Sequence, residues 1–190
     1  MSSVVKPIIK QIEDNQDALD FFETVLLPAE DEKTQNIIMN FPTVYIHNWR
    51  QSGDFEIYVG ESNDIFRRTR QHYDAASDKL KWQNKLLQKD ARLFIIGHEH
   101  FNKSLTLDIE NRLMHYMMSV ECVKHVYNLR DNPQTSYYPM EEFDEIFRKI
   151  WRGLRKENKD LFPSESVIKD SAIYKASPLH KLTKEQKKAR

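Results

Sequence analysis

The chain has little cysteine, little glycine and no long apolar run, and each shortage closes off a class of protein. A single cysteine, Cys122, cannot form an internal disulfide, so packing must hold the fold and a reducing, cytoplasmic compartment is expected. Four glycines in 190 residues leave no Gly-rich phosphate-binding loop and no low-complexity tract. No uninterrupted apolar stretch approaches the ~18 residues of a membrane span. The first twenty residues carry Glu13, Asp14, Asp17 and Asp20 without an apolar core, so no secretory leader is expected. Net charge is also lacking, at zero, which by itself counts against a nucleic-acid enzyme.

The zero conceals a bipolar chain. Residues 11–35 contain Glu13, Asp14, Asp17, Asp20, Glu23, Glu30, Asp31 and Glu32 against Lys33 alone. From Arg148 to Arg190 basic residues dominate, opposed only by Glu157, Asp160, Glu165, Asp170 and Glu185. Such runs are ordinarily solvated faces, so they permit a nucleic-acid partner without requiring one. With 39% hydrophobic and 31% charged residues, the composition is that of a soluble domain with a core and extensions.

Periodicity gives a coarse map. DNQDALDFFETVLLPA reads as an acidic helix with Leu19, Phe22, Val25 and Leu26 on one stripe, closed by Pro28. Thr43 to Asn48 and Phe55 to Gly60 read as strands joined through RQSGD. Ser62 is placed to cap a helix over Asn63 to Tyr73. LKWQNKLLQKD reads as a helix and RLFIIG as a third strand, and Ser104 or Thr106 caps a helix through Glu110. Phe143, Ile146, Phe147, Ile150, Trp151 and Leu154 form a helical stripe that must pack on something. Beyond Asn158 the chain reads as a basic linker or tail.

The residues that bear chemistry follow in order: Tyr45, Tyr58, Gly60, Arg68, His72, Glu110 and Asn128. A hairpin symmetric about Gln51 and Ser52 sets Tyr45 directly opposite Tyr58, two phenols on one sheet face; tyrosines that merely pack in strands are the plain alternative. Arg68 and His72, four apart, share a helix face, a spacing that suits anion binding. Arg67 and Arg70 point elsewhere, either toward nucleic-acid phosphates or simply into solvent. Glu110 borders the Ile109, Leu113, Met117 stripe, and reads either as a ligand for Mg²⁺ or Mn²⁺ or as an early-helix acid favoured by the macrodipole. No carboxylate pair accompanies it, so a two-metal site is not expected. GHEHF lacks the helical spacing of a zinc protease and reads as the polar exit from a strand. Cys122 has no arrangement of a thiol nucleophile.

The series resembles the GIY-YIG nuclease domain over roughly Phe41 to Asn132. TVY stands where GIY is expected and YVG where YIG is expected; Arg68 falls ten residues after Tyr58, RQHY ends the helix, and VYN carries Asn128. The resemblance implies an α+β fold: a small three-stranded antiparallel sheet flanked by helices, with helical N- and C-terminal extensions. It divides the chain into an extension (1–40), the nuclease domain (41–132), a packing helix (133–158) and a basic tail (159–190). It implies a Mg²⁺- or Mn²⁺-dependent endonuclease with one metal on Glu110. Tyr45 helps deprotonate the nucleophile, and Arg68, Tyr58 and His72 bind phosphoryl oxygens or orient water, with Asn128 completing the catalytic set. DNA, double-stranded or branched, is the implied substrate. A catalytically silent nucleic-acid- or protein-binding module of the same fold is the alternative, kept open by Thr43 in place of the first motif's glycine. The flanks are similar to nuclease modules that precede helicase-like P-loop ATPases in bacterial defence proteins, so such an ATPase domain or subunit is an implied partner. No G-x-x-x-x-G-K-[ST] follows, so the motor itself is not expected in this chain.

Overall fold

The computed structural model describes residues 5–75, 82–127 and 140–176. Its centre is a mixed five-stranded sheet in the order β1-β4-β2-β3-β5. The strands are β1 (Ile8–Glu13), β2 (Thr43–Gln51), β3 (Asp54–Ser62), β4 (Arg92–Gly97) and β5 (Val123–Val126). The expected three-stranded antiparallel sheet is thereby corrected. β4, β2 and β3 do pair antiparallel as the middle of the sheet. β1, from within the expected helical extension, adds antiparallel outside β4, while β5 pairs parallel with β3. A three-stranded sheet would leave a row of backbone donors and acceptors open on each side, and these two short strands satisfy much of both rows.

Turn chemistry sets the hairpin register. Ser52 (φ 54) and Gly53 (φ 94) are both left-handed, as the two-residue connections favoured in twisted hairpins require. The turn therefore centres one residue later than expected, and Tyr45 pairs with Gly60 while His47 pairs with Tyr58. The slip amounts to two pairing positions, an even number, so both tyrosines keep the same face and become diagonal neighbours, ring centroids 6.2 Å apart.

Alternation along the central strands sorts the molecule into two layers. Val44, Ile46, Ile57, Val59, Phe94 and Ile96 face α4 (Lys103–Met118) and α5 (Met140–Glu157) in the larger core. Tyr45, Tyr58, Leu93 and Ile95 face the other way, onto Leu19 and Phe22 of the N-terminal helical segment and onto Ile65 and Phe66 of α3 (Ile65–Asp74). With helices on both sides, β2 is buried without a break from Thr43 to Trp49.

Several local expectations shift for identifiable reasons. The acidic helix starts as α1 (Gln16–Phe21) but widens into a π-type turn over Phe22–Leu26 and tightens into a 3-10 turn over Leu27–Ala29. The wider turn breaks the 3.6-residue phase, so Leu27 turns inward and Val25 and Leu26 lie exposed. α2 (Glu32–Asn40) follows, capped by Asp31. Asp64 caps α3 because Ser62 is still paired in β3, and Asn102 caps α4 one turn before Thr106. The LKWQNKLLQKD segment gives a 3-10 turn over Trp82–Leu87. The stripe from Phe143 to Leu154 is buried as its spacing requires. Residues 159–176, read from sequence as the start of a tail, include α6 (Glu165–Asp170) and α7 (Ala172–Ala176). Leu161, Phe162, Ile168 and Tyr174 join the larger core there. The basic ending HKLTKEQKKAR lies outside the described residues. No helix among the described residues is long and apolar enough to cross a membrane.

Candidate active site

Tyr45 is the point on which the site converges. It sits mid-strand on β2, 1% exposed, with its ring laid across Gly60 of β3. A Cβ at position 60 would stand 2.5 Å from both Cζ and Oη of that ring, so the second motif's glycine is a condition of where the phenol lies. α3 then delivers two side chains from successive turns to one oxygen. Arg68 Nε donates to Tyr45 Oη at 3.4 Å, and His72 Nε2 lies 3.1 Å from the same atom. Arg68 is always a donor, so the hydroxyl accepts from it, while the direction of the bond to His72 follows the tautomer of that ring. With the ring proton on His72 Nδ1, Nε2 accepts from the hydroxyl.

Electrostatics allows this direction of donation. Burial first, then the neighbouring His47 and Arg68, together push the His72 imidazole down to about 3, so the ring is neutral. The sequence reading of two potential cations on one face thus resolves into one cation, Arg68, and one neutral imidazole. Burial, reinforced by Tyr58, raises the Tyr45 phenol above its ordinary range, while Arg68 pulls it down. Tyr45 is therefore a neutral hydroxyl poised between a donor and an acceptor. Thr43, in the place of the first motif's glycine, is buried opposite Ser62 and bonds that residue's carbonyl at 3.4 Å, at the far end of the strand pair from the turn.

Tyr58 stands at the rim, 9% exposed, its ring stacked on Trp82 at 4.2 Å and 14° and edge-on to His72 at 5.2 Å. Arg67 is 70% exposed on its side chain, near Asp64 at 3.6 Å. Arg70 is held by Asp20 at 2.7 Å and by Glu23, so the acidic segment covers that part of the basic helix.

Glu110 comes from the other layer. Its helix packs Leu105, Ile109 and Leu113 on the sheet face opposite Tyr45. Thr106, one turn earlier on the same side of α4, meets Glu61 of β3 at 3.5 Å, and Lys103 pairs with Glu61 as well. Glu110 is half-buried on the same helix, one turn after Thr106. Among the described residues no group of three or more His, Cys, Asp or Glu is arranged to hold a metal ion. A carboxylate suits a hard cation that keeps several waters and takes its remaining oxygens from a phosphate, so Glu110 fits Mg²⁺ in donor chemistry. Asn128 lies outside the described residues.

Sequence reasoning passed over a second group beneath Tyr45. His47, wholly buried, brings Nδ1 to 2.6 Å from Asp14 Oδ2, and Tyr73 Oη donates to Asp14 Oδ1 at 2.8 Å. The signal was available: strand alternation puts His47 on the face of Tyr45, and an imidazole in mid-strand needs a partner. Asp14 was read as part of an acidic helix and so escaped that search. His98 bonds the Val5 carbonyl at 3.0 Å and accepts from the His100 amide at 3.1 Å, a strand exit tied to the N-terminal segment. Cys122 bonds the Asp160 carbonyl and its thiol is pushed up by burial, the opposite of an activated nucleophile. No protein-family model, curated protein or solved structure matches the chain.

Proposed function

We propose that the protein is a metal-dependent endonuclease that hydrolyses phosphodiester bonds in DNA by a one-metal mechanism of the GIY-YIG type. The observation that carries this reading is the meeting of Arg68 and His72 on the hydroxyl of Tyr45, from three sequence positions the motif resemblance had joined.

In this mechanism a water molecule gives its proton to Tyr45 Oη as Tyr45 passes its own proton to His72 Nε2. The resulting hydroxide attacks phosphorus, and the P–O bond to the leaving oxygen breaks. A phenol raised by burial is a weak acid, so Tyr45 serves as base only through this concerted exchange, with the Arg68 guanidinium stabilising charge on its oxygen. Arg68 and Tyr58 hold the phosphoryl oxygens, and Trp82 keeps the Tyr58 ring in place by stacking. Glu110 would hold Mg²⁺ or Mn²⁺, which when bound polarises the phosphate and stabilises the leaving oxygen.

A binding module without catalysis is the second reading, favoured by the 1% exposure of Tyr45, which leaves Tyr58 and Arg68 as the groups a phosphate meets first. Cleavage of supercoiled, linear, single-stranded and branched DNA with Mg²⁺, Mn²⁺ or a chelator separates the two. The nuclease reading expects metal-dependent cuts that Tyr45→Phe slows about 100-fold, the ordinary yield of one general acid–base group. DNA binding by folded protein without cleavage on any substrate or metal would replace it with the binding module.

A further inference from the structure

Tyr58 belongs to a run of aromatic rings longer than the proposed mechanism uses. Trp82 stacks on it at 4.2 Å and 14°, and Tyr127 lies 6.3 Å beyond Trp82, centroid to centroid. The exposed ring of His125 is edge-on to Tyr127 at 4.2 Å. Behind them Trp49 is wholly buried, 5.9 Å from Trp82 at 6° and 5.6 Å from Tyr127. Core packing accounts for Trp49. It does not account for Trp82 and Tyr127, which stay partly in water beside the rim of the site, since a contiguous apolar surface of that kind marks a place where something binds.

Glu56 of β3 fixes this surface in place. Its Oε2 accepts from Trp49 Nε1 at 3.0 Å and from Tyr127 Oη at 2.9 Å, so one carboxylate oxygen holds two of the rings. A ring already held loses little freedom when a flat ligand lies against it. A nucleotide needs two kinds of surface, a cation for its phosphate and a π-face for its base. Arg68 supplies the first and the rings supply the second. Tyr58 serves both: in the proposed mechanism it meets the phosphate, while its ring is stacked on Trp82. A nucleotide held there by its phosphate has its base within reach of Trp82 and Tyr127. In closed duplex both faces of a base are covered by its neighbours, so only an unpaired base has a face to offer.

We propose that Trp82 and Tyr127 form a stacking platform for an unpaired nucleobase beside the scissile phosphate, so that the substrate is DNA with a single-stranded segment at the cut, as in a flap, rather than closed duplex. The inference rests on the nuclease reading, which places the phosphate at Tyr58 and Arg68. Stacking reads the face of a base and not its edge, so the platform takes any of the four bases and selects strand structure instead of sequence. It supplies binding at the reacting nucleotide and takes no part in moving protons.

Fluorescence anisotropy in the presence of a chelator measures binding while no DNA is cut. The probes are a flap DNA, a closed duplex of the same sequence, and copies of the flap with one abasic nucleotide at each position near the junction in turn. Wild type should bind the flap about 10-fold more tightly than the duplex, and an abasic nucleotide at one position should remove about that factor, the yield of one base–aromatic stack. Trp82→Leu and Tyr127→Leu, each checked for folding, should bind the intact flap more weakly and lose the abasic effect, and Trp82→Phe should keep part of it. A Trp82 that only packs would weaken intact and abasic flaps equally, which overturns the platform. The abasic series on wild type decides without any variant: indifference to every abasic position, or preference for closed duplex, overturns the platform and leaves the nuclease reading standing on its own cleavage assay. An abasic effect on binding in a wild type that cuts no DNA with any metal keeps the platform and overturns the nuclease reading. No binding to any DNA overturns both.

Discussion

Gly60 lies directly across the β2–β3 ladder from Tyr45, and the phenol ring fills the space a side chain would need. The absence of a Cβ at one position thus decides where a hydroxyl sits at another. Gly60→Ala must push the ring of Tyr45 away from Arg68 and His72 or move the strand. The expected cost is about 1–3 kcal/mol of stability, the usual range for overpacking a filled core. Cleavage should fall by at least as much as for Tyr45→Phe, because the hydroxyl is displaced while remaining present. Chemical denaturation and a single-turnover assay check the pair. A Gly60→Ala variant as active as wild type would show that the position of the Tyr45 ring does not govern the reaction.

The placement of that ring was only partly legible in the sequence. Strand alternation identified the face that Tyr45 and Tyr58 share, and helix spacing put Arg68 and His72 together, because both patterns are local and periodic. The pairing register escaped because it turns on whether Ser52 joins Gly53 in a left-handed pair, a backbone choice that no side-chain period reports. β1 escaped because IIKQIE breaks its apolar residues with Lys10 and Gln11, and β5 because it has only four residues. The π-type turn at Phe22–Leu26 likewise moved Val25 and Leu26 outward against a regular helical stripe. The Asp14–His47 contact joins residues 33 positions apart, which only the completed sheet brings within 2.6 Å.

His72 makes the protein sensitive to acid in a calculable direction. Its ring is held down to about 3 in the fold against 6.5 for the free group, so the unfolded chain binds a proton that the folded one refuses. Stability is unaffected by His72 above pH 6.5 and falls as pH drops from there toward 3, at up to about 1.4 kcal/mol per pH unit. His98, also lowered by burial, acts in the same sense. Comparison with His72→Gln isolates one from the other. Thermal unfolding of wild type should fall more steeply below pH 6.5 than that of the variant. Parallel curves would mean that the fold does not hold the His72 ring down, and a shallower fall in wild type than in the variant would mean that His72 carries a proton in the fold.

Glu110 links stability to metal in a way that can be read without any DNA. If its carboxylate is the protein's ligand for Mg²⁺ or Mn²⁺, millimolar metal should raise the unfolding temperature of wild type and leave Glu110→Ala unmoved. At a metal concentration about 100 times the dissociation constant the linkage is worth about 2.7 kcal/mol, well above the scatter of a melting curve. Glu110→Asp, which keeps the charge and shortens the reach, should show a reduced shift. Equal stabilisation of all three by metal would place the ion elsewhere on the chain.

The ion pairs that Arg70 makes with Asp20 and Glu23 set the acidic N-terminal segment against the basic helix of the site. A guanidinium so engaged contributes little to a passing phosphate, since binding one means leaving two carboxylates behind. The double variant Asp20→Asn, Glu23→Gln removes both charges and keeps side chains of similar size. It should bind DNA several-fold more tightly, and its affinity should fall more steeply with salt, by about one unit of slope, as a freed cation adds one phosphate contact. Arg70→Ala should weaken binding only in that double variant and leave the wild-type background unchanged. Fluorescence anisotropy across a salt series measures all four proteins. Identical slopes throughout would make Arg70 a purely structural tie between α1 and α3, and would leave Arg67 and Arg68 to carry the contact with DNA from that helix.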